Sequence, residues 1–520
     1  MRGRSIVIYI LISFFFSQYL VLAQTTVNPD SALDSILNEH KGTRLSLDQA
    51  KQYAVDKSTA VKIAEGTYEA AKGAARRDAG FFDPAFFFNF NYIDSEAPTA
   101  SFFSGAPVLM TKETDYATGL KMNLPIGTQI ELAINAAKLE TNSAFASLNP
   151  EYNTFGSLSL RQPLLGGFMS SGREQLNISE NLMAAQKSRF DQQSLAIYSE
   201  VEQAYWDLYA AERNFAVQQL IRNQAAQLMK ETELRAGSGL VGPNQVANAR
   251  TFLAEQESML LEREEQLDSQ SDRLASLIGV RPASGDYRFI PEDEPQKDFS
   301  VDEADVLVEL ALKNNLELQA SQKDIEAGRS QLNAAKWRSL PQVDLVGSIG
   351  GNGLAGTGQE IEFGGQVFPA AQSGSFNNAL SQVFKRDYPN WSVGVDVSIP
   401  IGLRSGLGEK DRVKAEVFTA EQRYVAQERA VEEQVRMYWR EVSHGKRRLD
   451  AAAEGVNAAQ EQVRIGLIEF QNGRTTAFEL SRLGSDLAVA QQRYSEALVR
   501  TAKAAAALKQ LTSGKYTGRN

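Results

Sequence analysis

Between Ser171 and Gly239 the chain runs without a proline and, after Gly172, without a glycine until Gly237. The stretch is dense in Ala, Gln, Glu, Leu and Arg, all good helix formers. Read as one helix at ~1.5 Å per residue, it is roughly 100 Å long, several times the length usual in a globular domain. Such a helix needs a partner along its whole length. Ile197, Val201, Ala204, Leu208, Ala211 and Phe215 supply the means, because their alternating spacings of four and three residues form a coiled-coil seam.

The pattern occurs twice. Adding 234 to each number carries Ser171-Gly172 onto Ser405-Gly406 and Gly239 onto Gly473. The seam becomes Val431, Val435, Tyr438 and Val442, weakens at Gly445, and is restored at Leu449. A seam and both ends kept in register argue for an internal duplication, so the 520 residues read as two copies of one unit.

Charge and cysteine usage narrow the function. Formal charge is −10, and removal of Arg2 and Arg4 with the leader makes it −12, with no basic stripe to meet phosphates. Nucleic acid is therefore not an expected partner. The chain has no cysteine, which excludes a disulfide framework, a thiol nucleophile, a cysteine metal site and a lipid-modified N-terminal cysteine. The only histidines, His40 and His444, lie far apart, and the carboxylates sit on helices as solvated faces. No constellation of an enzyme is present, and no cofactor is expected.

Met1–Ala23 reads as a secretory signal peptide: Arg2 and Arg4, an apolar run from Ile6 to Leu22, and Val21-Leu22-Ala23 as cleavage site. A retained membrane anchor is the alternative. No later stretch approaches 18 consecutive apolar residues, so a membrane-spanning mature protein must span with strands. Leu47–Ala79 is a helix capped by Ser46 with Gln49 completing a capping box, ended by Asp83-Pro84. Phe86, Phe88, Phe90 and Tyr92 alternate with Phe87, Asn89 and Asn91 as a strand. Gly119–Leu124 and Gln129–Asn135 form a hairpin around Pro125–Thr128, and Phe155–Gln162 is a further strand. After the long helix the chain reverses at Gly237–Pro243, and a helix returns from Asn244 to about Ile278.

The second unit is the first shifted by 257 at its start: Ala54 becomes Ala311 and Pro84 becomes Pro341. Ser300 is its expected cap. Gln342–Ile349 is a strand, a 40-residue Gly/Ser/Asn-rich loop follows, and Trp391–Ile401 is the clearest strand in the chain. The long helix Ser405–Asn472, a turn at Gly473 and a helix to about Leu511 complete the copy. The division is thus 1–23 signal peptide, 24–281 first repeat, 282–299 acidic linker, 300–512 second repeat and 513–520 tail.

Every strand has one oily and one polar face. In a soluble sandwich the oily face is the core; in a membrane barrel it faces lipid. Aromatic residues at strand ends (Phe81, Phe82, Tyr92, Tyr116, Trp391) suit an interfacial girdle. The few strands in one chain cannot close a barrel alone, and helices of this size call for oligomeric packing.

Taken together, the chain resembles a TolC-like outer-membrane efflux protein of the outer membrane factor family, over nearly all of the mature sequence. The resemblance rests on the duplication, on Ser398–Gly402 and Arg161–Leu165 leading into the long helices, and on two helical turns. Those turns are Gly239-Leu240-Val241 followed by Val246–Arg250, and Asn472-Gly473-Arg474-Thr475 followed by Phe478-Glu479-Leu480. It implies a homotrimer, with an outer-membrane β-barrel continued by a long periplasmic α-helical coiled-coil barrel. Its function would be that of a passive exit duct in a tripartite efflux or type I secretion system. The implied partners are outer-membrane lipid, a periplasmic adaptor protein and an inner-membrane pump. The turns Gly239, Leu240, Val241, Gly473, Arg474 and Thr475 would dock the adaptor. Gln245, Phe470, Glu479 and Arg482 occupy positions of the family's gate, but Arg482 stands where an acidic residue is usual and Gln245 where an aspartate is common. A secreted or surface trimeric coiled-coil structural or adhesive protein without a pore is the rival reading, and it predicts heptads without strands.

The first copy departs from the family by its extra hairpin. Pairing Leu124 with Ile130, Met122 with Leu132 and Leu120 with Ile134 places these six apolar residues on one face. Either the hairpin adds two barrel strands, giving six per subunit and 18 in a trimer, or it folds above the membrane within an enlarged loop.

Overall fold

The computed structural model describes residues 29–168, 172–297, 299–472 and 474–515. The leader 1–23, Ser171 and Gly473 lie outside the described residues.

The first half opens with α1 (Pro29–Glu39), β1 (Thr43–Leu45), α2 (Leu47–Lys57) and α3 (Thr59–Ala79). Four strands follow: β2 (Ala85–Pro98), β3 (Val108–Asn123), β4 (Gln129–Thr141) and β5 (Leu148–Pro163). Then come α4 (Glu174–Gly237), α5 (Pro243–Ile278) and β6 (Phe289–Pro291). The second half has α6 (Ala304–Asn314), α7 (Leu316–Arg338), β7 (Gln342–Gly358), β8 (Ile361–Phe363) and β9 (Gln366–Phe368). It ends with α8 (Phe376–Lys385), β10 (Tyr388–Ser398), α9 (Arg404–Gln471) and α10 (Ala477–Leu511). The two long helices hold 64 and 68 residues, so each extends for ~100 Å.

The seam of α4 is its buried stripe: Ile197, Val201, Ala204, Leu208 and Ala211 are all buried, and Phe215 packs against them. They meet Ala50 and Ala54 of α2, Val61 of α3, and Leu267, Leu274 and Ile278 of α5. Around α9, Val435 and Val442 pack with Leu307 and Ala311 of α6 and with Ala504 and Leu508 of α10. Gly445, where the seam weakens in sequence, is a point of close approach: a Cβ there would lie 2.4 Å from Cγ2 of the buried Thr501 on α10.

Several expectations are corrected. The helix read over Leu47–Ala79 is broken at Ser58, whose backbone is extended at φ −60°, ψ 125°. Asn315, its counterpart at the shift of 257, breaks the second helix at φ −62°, ψ 120°, and its side chain caps Glu317 and Leu318. Short polar side chains favour such non-helical cap geometry over a continued helix. The second unit's first helix is capped at Glu303, not Ser300. The linker is also part of the core, because β6 within it pairs in parallel with β1, and Phe289, Ile290 and Pro291 are buried. The 40-residue loop contains β8, β9 and α8. The last strand ends at Ser398, since Pro400 has no N–H to continue a ladder.

β2–β5, β7 and β10 form one antiparallel sheet in the order β10-β7-β5-β4-β3-β2, open at β2 and β10. The hairpin therefore lies within the sheet, hydrogen-bonded to β2 on one side and to β5 on the other. Its register differs from the expected one by two residues: Met122 faces Ile130, Leu120 faces Leu132 and Thr118 faces Ile134. The turn is tighter than the sequence suggests, with Leu124 N–H donating to Thr128 O at 2.7 Å and Gly127 at φ +88°. A two-residue slip leaves every side chain on its own face, so the separation into oily and polar faces stands.

One face carries Phe86, Phe88, Phe90, Leu120, Leu132, Leu158, Ile349, Val393, Val395 and Val397, all exposed in the single chain. The opposite face carries Asn89, Asp115, Glu131, Asn135, Ser157, Arg161, Asp344 and Asp396. There Arg161 Nε donates to Asp344 Oδ2 at 2.9 Å. α8 lies over the oily face of β5 and β7, with buried Ala379 and Val383 inward. Gly353 lets it come down: a Cβ there would sit 2.0 Å from Ala379 O.

Candidate functional site

The candidate site is the helical end opposite the sheet, where each long helix reverses. In the first turn Ser238 follows α4, and Gly239, at φ +73°, takes the left-handed conformation that closes a Schellman motif. Gly239 N–H donates to Ala236 O at 3.0 Å and Leu240 N–H to Arg235 O at 2.9 Å. Gly242 caps α5 and Pro243 occupies its first turn, where the missing N–H costs nothing. Leu240 is 75 % exposed, although the residue at this place in a Schellman motif commonly packs back on its helix.

In the second turn Arg474 N–H donates to Glu469 O at 2.8 Å, the same six-residue closure. Gly473 at its centre lies outside the described residues, and Phe470 is described only as part of α9. Thr476 caps α10, its Oγ1 accepting from Glu479 N–H at 3.2 Å. Leu234, Ile465, Ile468 and Phe478 are exposed apolar residues at this end. The two turns share an end of the bundle, since a Cβ at Gly484, two turns into α10, would meet Gln224 of α4.

Of the gate candidates, Glu479 and Arg482 come together, Arg482 Nη2 lying 2.7 Å from Glu479 Oε1 within α10. Both are well exposed, so the pair itself is worth little to stability. Gln245 is exposed on α5, in the other turn. Thr475 is half-buried, as is Val241. Arg235 forms its own intrahelical pair with Glu231 at 2.6 Å.

The helical middle holds a polar lock that the sequence does not announce. Tyr205 is fully buried, and its hydroxyl lies 2.9 Å from Leu45 O and 3.1 Å from Asp293 Oδ2 while accepting from Glu292 and Asp293 N–H, both at 3.0 Å. It thus ties α4 to the β1–β6 ledge. Burial pushes the Tyr205 phenol well above its ordinary value and that of Tyr209 up to about 12, so both stay neutral and act as packing. Trp206 belongs to the same core, stacked edge-on against Tyr205 and Tyr209. Trp439 donates to Asp302 O at 3.0 Å. The groove beside them is lined by Asp207, Glu441, Arg500 and Lys503, which pair with one another. Among the described residues no group of His, Asp or Glu has the arrangement to hold a metal ion.

The family model for outer membrane efflux proteins matches residues 307–514. Those residues are an outer membrane efflux protein domain. By that match the chain is TolC-like and of the outer membrane. Nodulation protein T of Rhizobium leguminosarum bv. trifolii is 20% identical over 411 residues, covering 75% of this chain and 82% of the relative. Among solved structures, the outer membrane channel CmeC of Campylobacter jejuni matches 90% of this chain and 86% of its own, with a TM-score of 0.63 at 14% identity. The outer membrane protein VceC of Vibrio cholerae matches 90% and 96%, with a TM-score of 0.61 at 16% identity. No helix among the described residues is long and apolar enough to cross a membrane.

Proposed function

We propose that this protein is the passive exit duct of a tripartite efflux or type I secretion system, acting as a homotrimer with a periplasmic adaptor and an inner-membrane pump. The observation that carries this reading is one chain joining a sheet with an oily outer face to helices of ~100 Å. The sheet suits a bilayer, and the helices suit a tunnel on through the periplasm. In this reading the duct is passive, and the partner pump supplies the energy for transport.

Two repeats, 24–281 and 300–512 separated by 282–299, remain the natural division. Its support is the near-equality of corresponding helices: 11, 21, 64 and 36 residues in the first half against 11, 23, 68 and 35 in the second. In this reading the turns at Gly239, Leu240, Val241 and Gly473, Arg474, Thr475 dock the adaptor. Their protruding apolar side chains, Leu240 and Phe478, favour a protein partner over open water. Gln245, Phe470, Glu479 and Arg482 line the constriction just above.

Single-channel conductance of the purified protein in a planar bilayer tests the duct, and an absence of channels from folded trimers refutes it. Gly473→Trp tests docking: export should be lost while trimers and outer-membrane insertion persist. Loss of the trimer in that variant would make the glycine a folding requirement and remove the docking claim.

A further inference from the structure

The sheet carries the membrane plane within it. On the oily face, hydrogen-bond partners run straight across from Trp391 on β10 through Ile349, Leu158, Leu132 and Leu120 to Phe86 on β2. The girdle aromatics do not follow that row. On β3 the outermost is Tyr116, four residues beyond Leu120, and on β2 it is Tyr92, six residues beyond Phe86. Above them on the same face come Lys112 and Lys138, the latter paired with Glu140, and Asp94.

The interfacial line therefore climbs six residues, ~20 Å, while crossing five inter-strand steps, ~24 Å. That is a strand tilt of about 40°, inside the range of about 35–45° found in outer-membrane barrels. Tyr152 of β5, in the same row as Tyr92, stands off this diagonal and packs against Phe376 of α8, ring centroids 6.1 Å apart.

The two edges carry the rest of the argument. β2 and β10 are exposed along almost their whole length, with Phe86 at 71 % and Trp391 at 72 %. Six alternating strands leave these edges running in opposite directions. Copies of the chain can then pair antiparallel, head to tail, into a closed ring. In a bilayer they must, because an unpaired edge leaves its N–H and C=O groups without partners.

We infer that three copies close an 18-stranded barrel, the β3–β4 hairpin included, through β10 of each copy pairing with β2 of the next. This deepens the duct reading and rests on its trimer. Continuing the diagonal by one more step places Trp391 opposite residue 92 or 94, since face alternation excludes Ile93. The Tyr92 register sets Val393 against Phe90, Val395 against Phe88 and Val397 against Phe86, and it brings Ser398 level with Ala85. The Asp94 register leaves a carboxylate beside Trp391. The geometry points to the first, which closes the barrel at a tilt of about 35°. At this strand number a barrel encloses an aqueous channel, here walled by the Asn, Asp and Ser of the inner face.

The absence of cysteine makes the test direct. The double variant Phe88→Cys/Val395→Cys should oxidise to covalent trimers in outer-membrane vesicles, since facing residues lie within disulfide reach. Single cysteines at Leu120 and Leu132 should take a lipid-confined label. Covalent trimers from Phe90→Cys/Val395→Cys instead would overturn the register. Trimers by native mass spectrometry that neither cross-link nor take the lipid label would overturn the 18-stranded barrel alone. Monomers or dimers would overturn the trimer and the barrel with it.

Discussion

Replacing Gly445 by alanine should destabilise the protein, although alanine is the better helix former. Gly445 lies inside α9, where Gly→Ala normally gains about 1 kcal/mol in intrinsic propensity. At this position the new methyl would stand 2.4 Å from Thr501 Cγ2 and 2.5 Å from its Oγ1. Separation to ordinary contact requires α9 and α10 to part by roughly 1 Å, because Thr501 cannot turn aside. Its χ1 is stiff, and its hydroxyl already donates to Ala497 O at 2.8 Å. Overpacking of this kind costs about 1–3 kcal/mol, so the net effect is a loss of up to ~2 kcal/mol. Gly455 provides the internal control, since nothing lies within 4 Å of a Cβ there and the same substitution should stabilise. Denaturant unfolding of the detergent-solubilised protein, followed by helical circular dichroism, should order the midpoints Gly455→Ala above wild type above Gly445→Ala. Thr501→Ala removes both offending atoms, so a double-mutant cycle should return a coupling of about 1 kcal/mol or more. Equal stability of the two glycine variants, or no coupling to Thr501, would refute close approach as the reason for glycine here.

Three further outcomes are expected. Arg482→Asp removes the 2.7 Å pair with Glu479 and sets two acidic groups one turn apart, so reversal potentials under a salt gradient should shift toward cation selectivity; an unchanged potential would place these side chains outside the pore. Tyr205→Phe takes away the hydroxyl that accepts from Asp293 N–H, whereas Glu292 N–H still reaches Leu45 O at 3.1 Å; the lost hydrogen bond predicts a loss of about 1 kcal/mol and faster hydrogen exchange across 289–293. Asp78 is buried, which by itself raises its carboxyl, but hydrogen bonds from Arg77 and Gln175 outweigh that and hold it below the usual carboxylate range. A depressed carboxylate stabilises the fold above its unfolded value and loses that contribution as pH falls through its folded one. Asp78→Asn should therefore be destabilising at neutral pH, with the difference from wild type shrinking in acid; a gap independent of pH would show that charge is not its cause.

Long helices and alternating strands were legible because each is written many times over in the sequence. The seam at Ile197, Val201, Ala204 and Leu208 repeats one physical demand at every turn, and the buried stripe of α4 follows it. Breaks rest on single residues. Ser58 and Asn315 interrupt good helical pattern without proline or glycine; the Asn315 side chain caps the helix that follows it, whereas Ser58 turns the chain with no side-chain cap bond. The hairpin shows the same limit: alternation gave the faces of β3 and β4, but the two-residue register was decided by the tight turn at Gly127. α8 was hidden for another reason. Its ten residues are too few for periodicity to speak, and the small residues that admit it, Gly353 and Gly156, lie elsewhere in the chain.

The tip is legible in a different sense. Glycine at a helix end announces a reversal, and Gly239 makes one. Whether a reversal is also a docking surface depends on what its side chains touch when alone. Leu240 touches almost nothing, although a leucine placed there has a helix face to fold back on. Leaving such a side chain in water forgoes about 1.5–3 kcal/mol of burial, which a partner covering the tip would restore. Glu479 and Arg482 are harder to read, because three-residue spacing on a helix produces an ion pair in a tunnel wall and on an idle surface alike. Arg482→Asp tells the two apart, because a reversed charge moves the reversal potential only where the side chain faces the conducting path.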